Sequence, residues 1–212
     1  MAAGDPLLEF ADVMRRLRAE CPWKAAQTHR TLARYLLEET HEAIEAMDTG
    51  DAGHLREELG DLLLQVFLHA AIAEQAGDFT LDDVAADATA KMIRRNPHVF
   101  VDETDGADDS SEPLTPEQVN EEWERRNALE KSTRTSVIDG IAPGLPALLV
   151  ADKVLDRLER GGSPVTPDQT GDVGDRLLAL VAEARRDGVD PEQALRDAVR
   201  RAVAAAEGPT DA

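Results

Sequence analysis

A chain of 212 residues is long enough for one ordinary domain with a real core and a small appendage, but cramped for two full domains. Its 43 acidic and 23 basic residues give a net charge of −20, which argues against nucleic-acid polymers and anionic membrane surfaces as partners and leaves small phosphorylated ligands open. One cysteine, Cys21, rules out an intrachain disulfide framework, and the lack of a signal-like segment or an apolar run of about 18 residues predicts a soluble cytoplasmic protein.

Aromatic residues make up only 3% while Ala and Leu are the commonest residues and Glu and Arg are abundant, a composition that predicts an all-α fold. Leu7, Phe10, Ala11, Met14 and Leu17 recur at spacings of three and four, so a first amphipathic helix is expected over residues 7 to 20, stopped by Cys21-Pro22-Trp23. A loop through Gln27-Thr28-His29 then leads into a helix from about Thr31 to Met47, carrying the acidic cluster Glu38-Glu39-x-x-Glu42. Asp48-Thr49-Gly50-Asp51 reads as a tight turn.

The next helix, from Ala52 to about Ala76, carries Glu58-x-x-Asp61 and places Leu55, Leu59, Leu62, Val66 and Ala70 on one face, with Leu63, Phe67 and Ile72 beside it. Its middle is apolar nearly all round, so covering it calls for a partner subunit and predicts a homodimer or higher assembly. Gly77 to Thr80 breaks the chain, with Thr80 or Asp78 as the cap of a helix that runs to about Arg95, before Pro97. Residues 102 to 117 are acidic and poor in apolar groups and predict a mobile linker, followed by a helix near 116 to 131. Ser136 to Gly144 is a further break, and two or three helical patterns with a thin, Ala-rich core fill the rest.

The two acidic clusters match in level across the turn. At about 1.5 Å per residue, Glu42 lies roughly 9 Å from the turn on one helix and Glu58 about 10 Å on the other, while Glu39 falls opposite Asp61. An antiparallel hairpin therefore assembles Glu39, Glu42, Glu58 and Asp61 as a square of hard oxygens suited to Mg²⁺ or, as a substitute, Mn²⁺. Acidic residues on helices are mostly solvated faces, but Glu58 and Asp61 run directly into Leu62-Leu63-Leu64, and carboxylates at a core edge must be paired or bind metal. Gly60 between them, unfavourable in a helix interior by about 1 kcal/mol relative to Ala, suggests a place of close packing.

Lys91, Arg94 and Arg95 form a basic segment in which Lys91 and Arg95 share a helix face. It reads either as the counter-charge to a metal-held phosphate chain or as a helix C-terminus answering its dipole. Trp123 reads either as a plate for a nucleobase or as an anchor for its own helix. The five histidines, His29, His41, His54, His69 and His98, show no zinc spacing, and no nucleophile elbow, Walker loop or Rossmann glycine fingerprint is present.

Four ordered stretches make the chain resemble the MazG family of nucleoside triphosphate pyrophosphohydrolases over about residues 7 to 131: Cys21-Pro22-Trp23…Gln27-Thr28-His29, Tyr35 to Glu42, Arg56 to Val66, and Lys91 to Phe100. The resemblance implies an all-α helical bundle, tightly dimeric, that hydrolyses NTPs or dNTPs to monophosphate and pyrophosphate. It implies Mg²⁺ held at Glu39, Glu42, Glu58 and Asp61 with Glu38 close by, and phosphate contacts at Lys91 and Arg95. Arg94, Trp23 and Trp123 are further candidates for substrate contact. Two positions depart from the family's pattern: Lys24 stands where an Asp is usual, and Asn127 where a Lys is common, with Arg125 or Arg126 as substitutes.

The expected organisation is a catalytic domain over 1–135 and a shortened, catalytically silent remnant of a second such domain over 136–212. That tail keeps the echo Asp172-Val173-Gly174-Asp175 but no Glu-Glu-x-x-Glu helix. The expected chemistry is water attack on the α-phosphorus, with Glu38 as candidate for orienting or deprotonating the water and Lys91 and Arg95 neutralising the departing pyrophosphate. The expected role is clearance of noncanonical or surplus nucleotides. The alternatives are an enzyme restricted to one pyrimidine dNTP or a phosphoribosyl nucleotide, and a non-catalytic acidic module that binds metal or protein.

Overall fold

The computed structural model describes residues 5–100, 114–130 and 136–208, and all regular structure among them is helical. The chain divides into two compact units, Met1–Arg126 and Asn127–Ala212. No described helix is long and apolar enough to cross a membrane.

In the first unit, α1 (Pro6–Glu20) starts where Asp5 accepts a hydrogen bond from the Leu7 N–H and Pro6 supplies a helical φ at no loss of a donor. A short α2 (Pro22–Ala25) follows where the sequence predicts only loop, because one turn leaves no periodicity to read. α3 (His29–Thr49) begins two residues earlier than expected: Thr28 and Thr31 form a reciprocal capping box. It continues through Thr49 and stops at Gly50, whose φ of 72° closes the helix in the left-handed region. Only Gly50 and Asp51 then separate it from α4 (Ala52–Ala76), which Asp51 caps by accepting from the Gly53 and His54 N–H groups. Thr80, rather than Asp78, caps α5 (Leu81–Arg95) in a box with Asp83.

The core lies toward the end of the hairpin away from its turn. Ala11 and Met14 of α1, Leu32 of α3, and Phe67, Leu68 and Ile72 of α4 are buried together, with Phe10, Leu17, Tyr35, Leu64 and Leu81 packed around them. Near the turn, the buried small residues Ala43 and Ala46 line α3. Arg15 pairs with Glu74 across α1 and α4 at 3.0 Å. Arg18 reaches the Gln75 side chain and donates to the carbonyls of Lys24, Ala25 and Gln27, so one guanidinium holds the segment that carries Trp23.

The inward face of α4 differs from the expected one. Glu58 and Gln65 are buried, whereas Leu59, Leu63 and Val66 stand 49%, 36% and 45% exposed. An apolar surface all round gives a helix no phase of its own, and here the face bearing the polar residues is the one turned inward. Within the protomer Gly60 marks no close approach: a Cβ added there meets nothing within 4 Å. α5 buries no residue.

α6 (Pro116–Glu130) crosses the division between the units. The expected linker over 102–117 lies mostly outside the described residues, and its end, from Pro116, belongs to α6.

The second unit packs α7 (Ala147–Arg160), α8 (Val173–Arg186) and α9 (Pro191–Glu207) against one another. Leu155, Ala179 and Val181 are its buried apolar residues among those described, the thin core its composition predicts. Arg185 of α8 binds Asp152, Asp156 and Glu159 of α7 at 2.8, 3.0 and 3.4 Å. Arg157 donates to the Val137 and Asp139 carbonyls at 2.6 and 2.9 Å and so ties the preceding loop down.

Candidate functional site

The two-residue turn sets α3 and α4 antiparallel at close range, and the hairpin brings Glu39, Glu58 and Asp61 together. Each offers a carboxylate oxygen, and these oxygens lie within 4.8 Å of one another. Glu58 is 7% exposed, while Glu39 and Asp61 are half-buried.

Burial raises the Glu39 carboxyl above its ordinary range, and the neighbouring charges of Asp61, Glu42, Glu58 and Glu38 push it in the same direction. The His54 Nε2 lies 3.0 Å from Glu58 Oε1, and the Glu58 Oε2 is buried without a hydrogen-bond partner. A buried, unsatisfied carboxylate oxygen beside two further carboxylates is unfavourable unless a cation fills the space. The donor set is three hard oxygens, so the residues fit Mg²⁺ or Mn²⁺.

Glu42 and Glu38 stand beside this group. Both are exposed, both are near enough to raise the Glu39 carboxyl, and Glu38 pairs with Arg34 at 3.7 Å. The expected square is thus a triangle with Glu42 one helical turn from Glu39 on the same face.

On α5, Lys91 and Arg94 are exposed. The Arg95 guanidinium lies over the Trp123 ring, 5.1 Å from its centroid, and Arg126 donates to the Arg94 carbonyl at 3.2 Å, so α6 is fastened to the basic end of α5. Arg125 and Arg126 both bind Glu122 at 2.6 Å, and these bonds depress the Glu122 carboxyl to about 2. Trp23 is half exposed, meets Tyr35 edge to face at 5.9 Å, and has the Lys24 ammonium over its ring. Tyr35 sits one turn before Glu39 on α3, so Trp23 lies at the carboxylate-bearing helix.

Two features escaped the sequence reading. His54 lies four residues before Glu58, a spacing that alone identifies a candidate pair on one helix face. His29 and His69 stack with their Nδ1 atoms 2.7 Å apart, a tertiary contact across 40 residues that no local pattern signals. Burial, then the His29 ring, lowers the His69 pKa. In the second unit, the Asp172-x-x-Asp175 echo is a capping box at the start of α8, each carboxylate accepting from the other residue's backbone N–H.

Residues 27–100 match the family model of the MazG nucleotide pyrophosphohydrolase domain. A Streptomyces cacaoi protein described as an uncharacterized 26.1 kDa protein is 46% identical over 97% of this chain and 84% of its own length. A Thermotoga maritima protein named nucleoside triphosphate pyrophosphohydrolase/pyrophosphatase MazG is 35% identical over 95% of this chain and 84% of its own length. A Mycobacterium tuberculosis protein named nucleoside triphosphate pyrophosphohydrolase is 40% identical over 92% of this chain, which spans 55% of that relative.

Proposed function

The chain belongs to the MazG nucleotide pyrophosphohydrolase family, and on that premise we propose that it hydrolyses nucleoside triphosphates to the monophosphate and pyrophosphate at the α3–α4 hairpin, with a divalent cation. The observation that carries the reading is the carboxylate group of Glu39, Glu58 and Asp61, in which the buried Glu58 Oε2 lacks a partner.

Glu39, Glu58 and Asp61 would hold the cation, with Glu42 in position to join them. When bound, such an ion supplies neutralisation of phosphate charge and a more acidic water. The exposed Glu38 would orient the attacking water or take its proton as the water oxygen bonds to the α-phosphorus and the bond from that phosphorus to the oxygen bridging to the β-phosphate breaks. Lys91 and Arg95 bind the departing pyrophosphate, and Trp123, which carries Arg95 on its face, orients that guanidinium. Trp23, half open and braced by Tyr35, offers a surface on which a base stacks. No protein nucleophile is required.

We place this activity on a homodimer, because Leu59, Leu63 and Val66 of α4 and Leu36 and Leu37 of α3 remain exposed on the protomer. The second unit, whose acidic echo is used as a helix cap, takes no part in the chemistry. Clearance of noncanonical or surplus nucleotides is the role this chemistry suits.

The test is incubation of the purified protein with Mg²⁺ and each NTP and dNTP, dUTP and a deaminated purine included, with pyrophosphate and orthophosphate assayed separately. Pyrophosphate from many bases supports the broad hydrolase, and release from one base supports a restricted enzyme. A cation-bound, intact protein that is silent across the panel sinks the reading.

A further inference from the structure

The geometry points to His54 as a positioning residue that sets the Glu58 carboxylate for the cation, an inference that rests on the reading of the hairpin as a metal site. Glu58 has two oxygens and, being nearly buried, no water shell to steer them. His54 Nε2 lies 3.0 Å from Oε1, a contact that favours one rotation of the carboxylate and leaves Oε2, buried and unpartnered, as the oxygen turned away from the ring and free for a cation.

The imidazole is itself held in place. His54 lies in the first turn of α4, where Asp51 accepts its backbone N–H at 3.1 Å and that of Gly53 at 2.8 Å. A ring four residues before Glu58 on a capped turn then reaches that carboxylate from the same helix face. Its side chain is 40% exposed against 9% for Glu58. An ordinary surface ion pair would leave both partners wet. Here the acceptor is buried and lies in the carboxylate group, which marks the contact as one that orients a ligand.

The experiment is calorimetric titration of the full-length apo protein with Mn²⁺, for wild type, His54→Ala, His54→Phe, His54→Gln and Asp61→Asn. Partners of metal ligands typically contribute about 10- to 100-fold in affinity, so the Ala and Phe variants should bind Mn²⁺ at least about tenfold more weakly. The Gln variant, whose amide N–H can reach the same oxygen, should stay within about threefold of wild type. Pyrophosphate release should show the same split: in the Ala variant the Mn²⁺ concentration for half-maximal rate rises, while the rate at saturating Mn²⁺ is largely kept.

Circular dichroism melting of the apo variants separates this from a purely structural role, which would lower melting in Ala and Phe without changing Mn²⁺ affinity. Wild-type Mn²⁺ affinity in folded His54→Ala and His54→Phe overturns the inference and leaves the metal site standing. Wild-type binding unchanged by Asp61→Asn, or no binding at all, overturns the metal site and the inference with it.

Discussion

The protein gathers three carboxylates in two places and treats them in opposite ways. In the second unit, Asp152, Asp156 and Glu159 line one face of α7, and Arg185 reaches across from α8 to bind all three, with Arg160 also on Asp156. In the hairpin, Glu39, Glu58 and Asp61 meet with no guanidinium or ammonium among the described ion pairs, and His54 as Glu58's one partner there. Every neighbouring charge acting on Glu39 raises its pKa. A count of acids therefore says little about function. What distinguishes a site from a structural cluster is whether the chain supplies the counter-charge itself.

The largest expected break between the two clusters is in turnover. Glu58→Gln or Asp61→Asn should lower pyrophosphate release by about 10³-fold or more, the several kcal/mol that a metal supplies to charge stabilisation. Asp156→Asn should leave turnover within about twofold by the same assay.

The next effect is on stability. Mg²⁺ at about 100 times its Kd should stabilise the wild type by about 2.7 kcal/mol in urea unfolding, and chelation should remove that gain. Glu39→Gln should show little of it. In the stripped protein the sign of the pH dependence follows from the raised Glu39 carboxyl. The folded state binds the extra proton more tightly than the unfolded one, so this contribution is full below the ordinary value of 4.5 and is lost as pH rises through the folded value. The difference between wild type and Glu39→Gln in urea midpoint should accordingly turn against wild type as pH rises across that window.

In the second unit, Arg185→Met leaves three carboxylates side by side on one face of α7 without their shared guanidinium. A loss of about 1 to 2 kcal/mol is expected, after allowance for partial solvent screening, with no change in Mn²⁺ affinity. The smallest effect sharpens the picture of the exposed α4 face. Gly60→Ala should stabilise the isolated protomer by about 0.5 to 1 kcal/mol, since its Cβ meets open space. Weaker self-association of that variant in analytical ultracentrifugation would show a second copy seated against position 60.

Much of this was legible beforehand because it rests on local chemistry. Asp51, Thr80 and Gly50 punctuate the helices as their residue types require, and counting residues from the turn is enough to bring Glu39, Glu58 and Asp61 together. The phase of α4 was not legible. With Leu at 55, 59, 62, 63 and 64, periodicity could not choose the face, and tertiary packing placed Glu58 and Gln65 inside while leaving Leu59, Leu63 and Val66 out. A glycine in a helix signals close packing only if something stands opposite, and within the protomer nothing stands opposite Gly60. His54 went unremarked because a search for zinc spacing asks histidine to be a ligand, whereas here it lies 3.0 Å from a carboxylate that is itself the proposed ligand.

The two-residue link at Gly50-Asp51 makes the hairpin a counting device. One residue added or removed between Glu42 and Glu58 would turn Asp61 by about 100° and shift it by about 1.5 Å relative to Glu39. No change of side chain could undo that rotation, while a change of identity at one acid can be reversed by a single substitution. The stretch from 42 to 58 should thus tolerate many replacements and no change of length, whereas the linkers at 161–172 and 187–190 of the second unit should accept insertions freely.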